Sequence, residues 1–127
     1  MARPQTILVV EDHDDLRHIF SAALSLAGFE VKQASDGLAA LHYLEFERPD
    51  LVVLDLFMPR VSGFVVHQDL ASRSDLRHIP IVIVTAATIG QTAHLDVACL
   101  LYKPVFPNEL VDAVTKCLKS GSALRWH

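Results

Sequence analysis

The sequence predicts a single α/β domain built on a parallel sheet with helices on both faces. Three observations carry that prediction. Short apolar, β-branched runs recur along the chain, segments of helical period separate them, and polar residues bound each run. Continuous apolar runs mark strands buried on both faces, and β-α alternation repeated about five times implies parallel strands joined by right-handed crossovers. The 127 residues fit one domain. With 51% hydrophobic and 20% charged residues, the chain can bury a core and is not of disordered composition.

Thr6–Val10 reads as the first strand. The first helix covers Asp14–Ala27. Its apolar residues Leu16, Ile19, Phe20, Ala23, Leu24 and Ala27 share one helical face. Asp14 is the expected N-cap and Gly28 the expected C′ stop. The exposed face then carries Arg17, His18 and Ser21. Glu30–Gln33 reads as the second strand. Asp36 caps a second helix to about Glu47, which Pro49 helps to end. Leu51–Leu54 is the third strand, Gly63–Ala71 the third helix and Ile79–Val84 the fourth strand. The fifth strand, Leu100–Tyr102, is the shortest. Asn108–Lys119 forms the last helix, with Leu110, Val111, Val114 and Leu118 on its stripe.

Mean hydropathy is high, +0.32. Yet stretches such as Leu51–Leu54, Ile81–Val84 and Ala98–Tyr102 fall far short of the roughly 18 apolar residues of a spanning helix. Met1–Gln5 has no signal-peptide core, so a soluble, cytoplasmic chain is expected. The balance of 11 bases and 15 acids gives −4, the wrong sign for a nucleic-acid footprint. Cys99 and Cys117 make no disulfide framework, and no nearby motif lowers their pKa; packed, unreactive thiols are expected. None of the seven histidines forms the i, i+4 pair of a metal-binding helix; His13 is notable only because it adjoins two acids. Those acids belong to a knot: Glu11, Asp12, Asp14 and Asp15 are four of the fifteen acids.

In an open parallel sheet, ligands bind outside the carboxyl ends of the strands. Glu11 and Asp12 follow the first strand, Asp55 the third, Thr85 the fourth and Lys103 the fifth. Crowded carboxylates repel, so this edge calls for Mg2+ or Mn2+, which take oxygen ligands. Without metal, one carboxylate should carry a raised pKa. A carboxylate is a nucleophile that needs no general base at neutral pH. Attack by Asp55 on phosphorus gives an aspartyl phosphate, whose oxygens metal, Lys103 and the Thr85 hydroxyl can contact.

These residues resemble the receiver (response-regulator) domain of two-component signalling over nearly the whole chain. The matching motifs are Val9-Val10-Glu11-Asp12, Asp55-Leu56-Phe57-Met58-Pro59 with Gly63, Thr85-Ala86 and Lys103-Pro104. The resemblance implies a flavodoxin-like (βα)5 fold, a doubly wound five-stranded parallel sheet in the order 2-1-3-4-5. It assigns residues 1–120 to the receiver domain and leaves 121–127 as a C-terminal tail. It makes Asp55 the phosphoacceptor, Lys103 a phosphate ligand and Thr85 a switch hydroxyl. Asp12, Asp55 and the Phe57 backbone carbonyl would ligate Mg2+, with Glu11 acting mainly through water. A cis Lys103–Pro104 peptide is also implied. The implied partners are a sensor histidine kinase or histidine phosphotransfer protein, docking near Arg17, His18 and Ser21, and a downstream protein target. No direct nucleic-acid or membrane contact is expected, and a phosphorylation-dependent dimer is possible within the family.

Two features depart from the family pattern. Leu100 stands where the family has Tyr or Phe, with Tyr102 two residues on along the same strand face. Thr85 and Lys103 are 18 positions apart, about one helical turn fewer than usual. The shortening must fall within Thr88–Cys99, where Gly90 also weakens a helix. Either an unusual output surface or a simple phosphate relay would follow. Phe57 and Ala87 offer no group to orient water, which implies slow autodephosphorylation. Phe57 also stands where a phosphatase with an Asp nucleophile needs its second Asp, so a turnover enzyme is not expected. No glycine-rich nucleotide loop is present. The alternative is a degenerate receiver acting as a phosphate-independent interaction module.

Overall fold

The computed structural model describes residues 3–125, with side chains through Lys119. Along the chain run β1 (Thr6–Val10), α1 (Asp14–Leu26), β2 (Glu30–Ala34), α2 (Gly37–Phe46) and β3 (Leu51–Leu54). They are followed by α3 (Gly63–Ser72), β4 (Ile81–Thr85), α4 (Ile89–Thr92), β5 (Cys99–Tyr102) and α5 (Pro107–Arg125). The sheet order is β2-β1-β3-β4-β5, with every pair parallel. This is the expected flavodoxin-like topology. The expected tail, 121–127, lies outside the residues with described side chains; its backbone continues α5 to Arg125.

Period-two alternation sorts the strand residues between two cores. Ile7, Val9, Leu51, Val53, Val82 and Val84 face Phe20 and Leu24 of α1 and Leu110, Val114 and Cys117 of α5. Leu8, Val10, Val52, Leu54, Ile81 and Ile83 face Ala40 and Leu44 of α2 and Val66 and Leu70 of α3. Each fully buried Leu or Ile stabilises this arrangement by roughly 1.5–3 kcal/mol against exposure. The central strands are buried almost throughout, whereas β2 and β5 lie at the edges and are largely half-buried or exposed. Edge position explains how the polar Glu30, Lys32 and Gln33 fit in a strand.

Helix ends follow local chemistry. Asp36 caps α2 by accepting the Ala39 N–H at 2.8 Å. Gly28 ends α1 with φ +102°; its N–H reaches the Ser25 carbonyl while the Phe29 N–H reaches that of Leu24. Those paired bonds form a Schellman stop, and the positive φ suits glycine.

Several local expectations need correction. The N-cap of α1 is His13, whose side chain makes no capping bond; Asp14 is instead the first helical residue. With Asp15 it places negative charge in the first turn, where the helix dipole favours it. The buried face of α1 is Arg17, Phe20, Ser21 and Leu24, while Ile19 is half exposed. The helix is thus rolled relative to the purely apolar stripe, because Arg17 is buried with its hydrogen bonds satisfied. Of the three residues expected on the docking face, only His18 is exposed. Strand β4 begins at Ile81, after Pro80, and includes Thr85 as its last residue.

The short α4 region is observed. It is a four-residue turn held by a capping box between Thr88 and Gln91. The segment after it packs back on the sheet through Leu95 and Val97. It also lies against α3: His94 stacks on Phe64 at 6.4 Å, and His67 Nε2 is 3.2 Å from the Asp96 carbonyl oxygen.

Candidate functional site

The carboxyl ends of β1, β3, β4 and β5 bring Glu11, Asp55, Thr85 and Lys103 to one edge. Asp55 leaves β3 in a tight loop that doubles back on itself: the Gly63 N–H binds the Leu56 carbonyl at 2.9 Å. A Cβ at position 63 would collide with the Asp55 backbone carbonyl, so Gly63 is what lets α3 begin this close to the carboxylate. Lys103 hangs from the end of β5, its N–H bonded to the Thr85 carbonyl at 2.8 Å. The Lys103–Pro104 peptide that follows is cis, as expected.

Lys103 Nζ lies 3.0 Å from Glu11 Oε1 and 3.3 Å from Asp55 Oδ2. One ammonium therefore bridges two almost fully buried carboxylates. The other Asp55 oxygen, Oδ1, accepts the Phe57 N–H at 3.3 Å. Burial pushes Asp55 up to about 6, and the Glu11 charge adds to this; Lys103 and the Phe57 N–H pull the other way and lose. Glu11 is also pushed up by burial, but Lys103 and the His13 backbone N–H outweigh that and hold it below the usual range. Lys103 is held above its usual range: its two carboxylate partners overcome the burial that would lower it. The expected raised pKa thus falls on Asp55.

Asp12 stands at the mouth of the edge. Its Oδ1 is buried and accepts no hydrogen bond; His13 Nδ1 lies 3.5 Å from it. An orphaned carboxylate oxygen beside two further carboxylates, answered by one lysine, fits a hard divalent cation with oxygen ligands. Glu11, Asp12 and His13 also bring one ligand atom each within 4.8 Å of one another. Thr85 is fully buried, and its Oγ1 accepts the Ala87 N–H at 3.2 Å. The Phe57 ring is half exposed, tilted against Phe64 at 6.2 Å. Arg60 turns away, with φ +65° and its guanidinium 3.3 Å from Asp36.

Arg17, expected on the exposed face of α1, is buried and supports this edge. Its guanidinium donates to the Glu11 carbonyl at 3.0 Å, to Gln33 Oε1 at 3.1 Å and to Asp14 Oδ1 at 2.8 Å. It ties the acidic turn after β1 to α1 and to the edge strand. Tyr102 reaches α4: its hydroxyl is 2.7 Å from Thr92 Oγ1, and its backbone pairs in register with Thr85. Leu100, where a ring was expected from the family pattern, packs on the sheet core.

Known proteins share this fold and family. A model of the response regulator receiver domain matches residues 7–115. The probable transcriptional regulator ycf27 of Cyanophora paradoxa is 39% identical over 119 residues, 89% of this chain and 48% of that protein. The polar-differentiation response regulator DivK of Brucella anthropi is 36% identical over 83 residues, 65% of this chain and 68% of that protein. The chain spans about half the length of the ycf27 relatives it matches. Among solved structures, the chemotaxis response regulator CheY4 of Vibrio cholerae superposes with a TM-score of 0.83 at 26% identity, covering 90% of this chain and 98% of that one. Among the described residues no helix is long and apolar enough to cross a membrane. Sheet order, carboxylate edge and family match agree: the chain belongs to the receiver domain family of response regulators.

Proposed function

We propose that Asp55 accepts a phosphoryl group from a phosphohistidine of a sensor kinase or phosphotransfer protein, and that the acyl phosphate then changes how the domain binds a downstream protein. The observation that carries this reading is the convergence on Asp55 of Lys103, the Phe57 N–H and Glu11. In the transfer, an Asp55 carboxylate oxygen forms the bond to phosphorus while the P–N bond of the donor breaks and the imidazole leaves. Lys103, already between the two carboxylates, is placed to follow the charge onto the phosphoryl oxygens. The Thr85 hydroxyl can donate its proton to a phosphoryl oxygen while its oxygen still accepts the Ala87 N–H, so a shift of Thr85 toward the phosphate would pull on the turn after β4. Asp12, Asp55 and the Phe57 carbonyl would hold Mg2+ or Mn2+ directly, with Glu11 acting through water. Such an ion neutralises carboxylate and phosphoryl charge.

The domain is not a turnover enzyme in this reading. Phe57 and Ala87 present a ring and a methyl where a group that orients water would stand. The aspartyl phosphate should therefore persist for minutes or longer, and a lifetime of seconds would contradict this. The one-turn α4 and Leu100 favour an output surface other than the usual one, or relay of the phosphate. Protein activated with beryllofluoride should then show little displacement of the α4 region. The direct test is acetyl phosphate with Mg2+, read by intact mass. A gain of one phosphoryl group, lost on chelation of the metal, is expected. No gain in the presence of Mg2+ would favour a phosphate-independent interaction module instead.

A further inference from the structure

Strand β5 and helix α5 bring together the two cysteines, which lie 18 residues apart. Cys99 opens the edge strand and is only partly covered, while Cys117 on α5 is buried beside it. Both side chains pack on one apolar cluster with Val82 and Val84 of β4. Both line a groove of about 430 Å3, whose rim carries Glu109, Asp112 and Lys116 of α5. Asp112 is engaged by Lys116 at 3.0 Å.

Two thiols on one groove, one buried and one partly open, differ from two thiols packed apart in a core. A donor aimed at a sulfur favours its thiolate, and the thiolate is the nucleophile. The Cys117 hydrogen bond, helped by the Leu100 N–H and the Lys116 charge, outweighs burial and brings Cys99 down to about 6. The same hydrogen bond, with burial and the Cys99 charge, pushes Cys117 up. The thiols are packed in or against the core as expected; the sequence could not show that a strand start and a helix turn bring them to one groove.

The geometry points to a dithiol modification site: Cys99 attacks a low-molecular-weight disulfide, and Cys117 resolves the mixed disulfide to leave Cys99 bonded to Cys117. In the first exchange the Cys99 thiolate forms a new S–S bond and one thiol leaves. In the second the Cys117 sulfur, losing its proton, displaces the other thiol. The cysteine pair gives up two electrons and two protons, which leave on two small thiols. The closed ring contains Lys103, so the link would tie the strand carrying that lysine to α5. This site stands apart from Asp55 and does not depend on the proposed phosphoryl transfer.

Folded protein incubated with glutathione disulfide at neutral pH should lose two hydrogens by non-reducing mass, with the Cys99 and Cys117 peptides linked. In a second arm, iodoacetamide labelling of reduced protein is followed against pH. Labelling should concentrate at Cys99 with a midpoint below pH 7, and C117A should move that midpoint up by at least one pH unit. A mixed disulfide at Cys99 that never passes to Cys117 would overturn the proposal. So would a wild-type midpoint above pH 8, near the ordinary thiol value of about 8.5, or equal labelling of both residues. The wild-type profile decides even if C117A does not fold.

Discussion

At the carboxyl edge of the sheet, Glu11, Asp55 and Thr85 are 2%, 3% and 0% exposed, and each is held by groups from another element or its own turn. In the connection between β4 and β5 the helix is four residues long, and Ile89 at its start is 73% exposed. Its polar bonds run mostly between neighbours, Thr88 with Gln91 and Thr92 with Thr88 and Ile89. The Tyr102 hydroxyl on Thr92 ties that turn to β5. The contrast teaches that the two carboxylates of the edge are bridged by a buried lysine from a distant strand, while the α4 turn is secured mostly by its own neighbours. Local security implies low local stability.

If this division is right, perturbing the edge should have large effects on chemistry and perturbing α4 should not. Replacing Lys103 with Met removes the cation between two buried carboxylates and the donor to the developing phosphoryl charge. Labelling by acetyl phosphate should slow by about 10²–10³-fold, the scale for loss of one oriented donor. A fall of less than threefold would detach Lys103 from the chemistry.

The next effect is on stability. Asp55 has a pKa raised from 3.8 to about 6, so the folded state holds its proton more tightly than the unfolded chain. That destabilising contribution is absent below the unfolded pKa, grows as pH rises and is complete above about pH 6. Asp55→Asn should therefore stabilise metal-free protein at pH 7.5 by on the order of 2 kcal/mol, with part of the gain offset by the lost Lys103 pair. The difference should close toward pH 4. Urea unfolding at the two pH values checks this, and a variant less stable than wild type at pH 7.5 would break the account of the edge.

The smallest effect is expected at α4. Tyr102→Phe removes one hydrogen bond, worth about 1 kcal/mol. Amide exchange should quicken across residues 88–98 while the rate of acetyl phosphate labelling stays within twofold. A tenfold slower labelling would show that α4 and the edge are one unit.

The architecture was legible because strand periodicity and strand-end position are local properties that topology then multiplies. Glu11, Asp55, Thr85 and Lys103 could be placed together from sequence for that reason. Arg17 could not, because a charged residue in a helix reads as solvent-facing unless the carbonyl and carboxylate that satisfy it are known. Ile19 misled for the complementary reason: an apolar side chain fits the stripe but nothing requires it to be covered. His13 displaced Asp14 at the N-cap because backbone angles, not side-chain preference, decide where the helix opens. Cys99 and Cys117 carried no signal, because their meeting depends on how α5 lies against β5.

The central claim is that Asp55 itself takes the phosphoryl group. The most direct measurement is borohydride reduction of acetyl-phosphate-treated protein, which traps an acyl phosphate by reducing the modified carboxylate, followed by peptide mapping. The account predicts reduction at Asp55 and at no other acid, dependent on Mg2+. Reduction at Glu11 or Asp12, or phosphate recovered on a histidine with Asp55 unmodified, would contradict it.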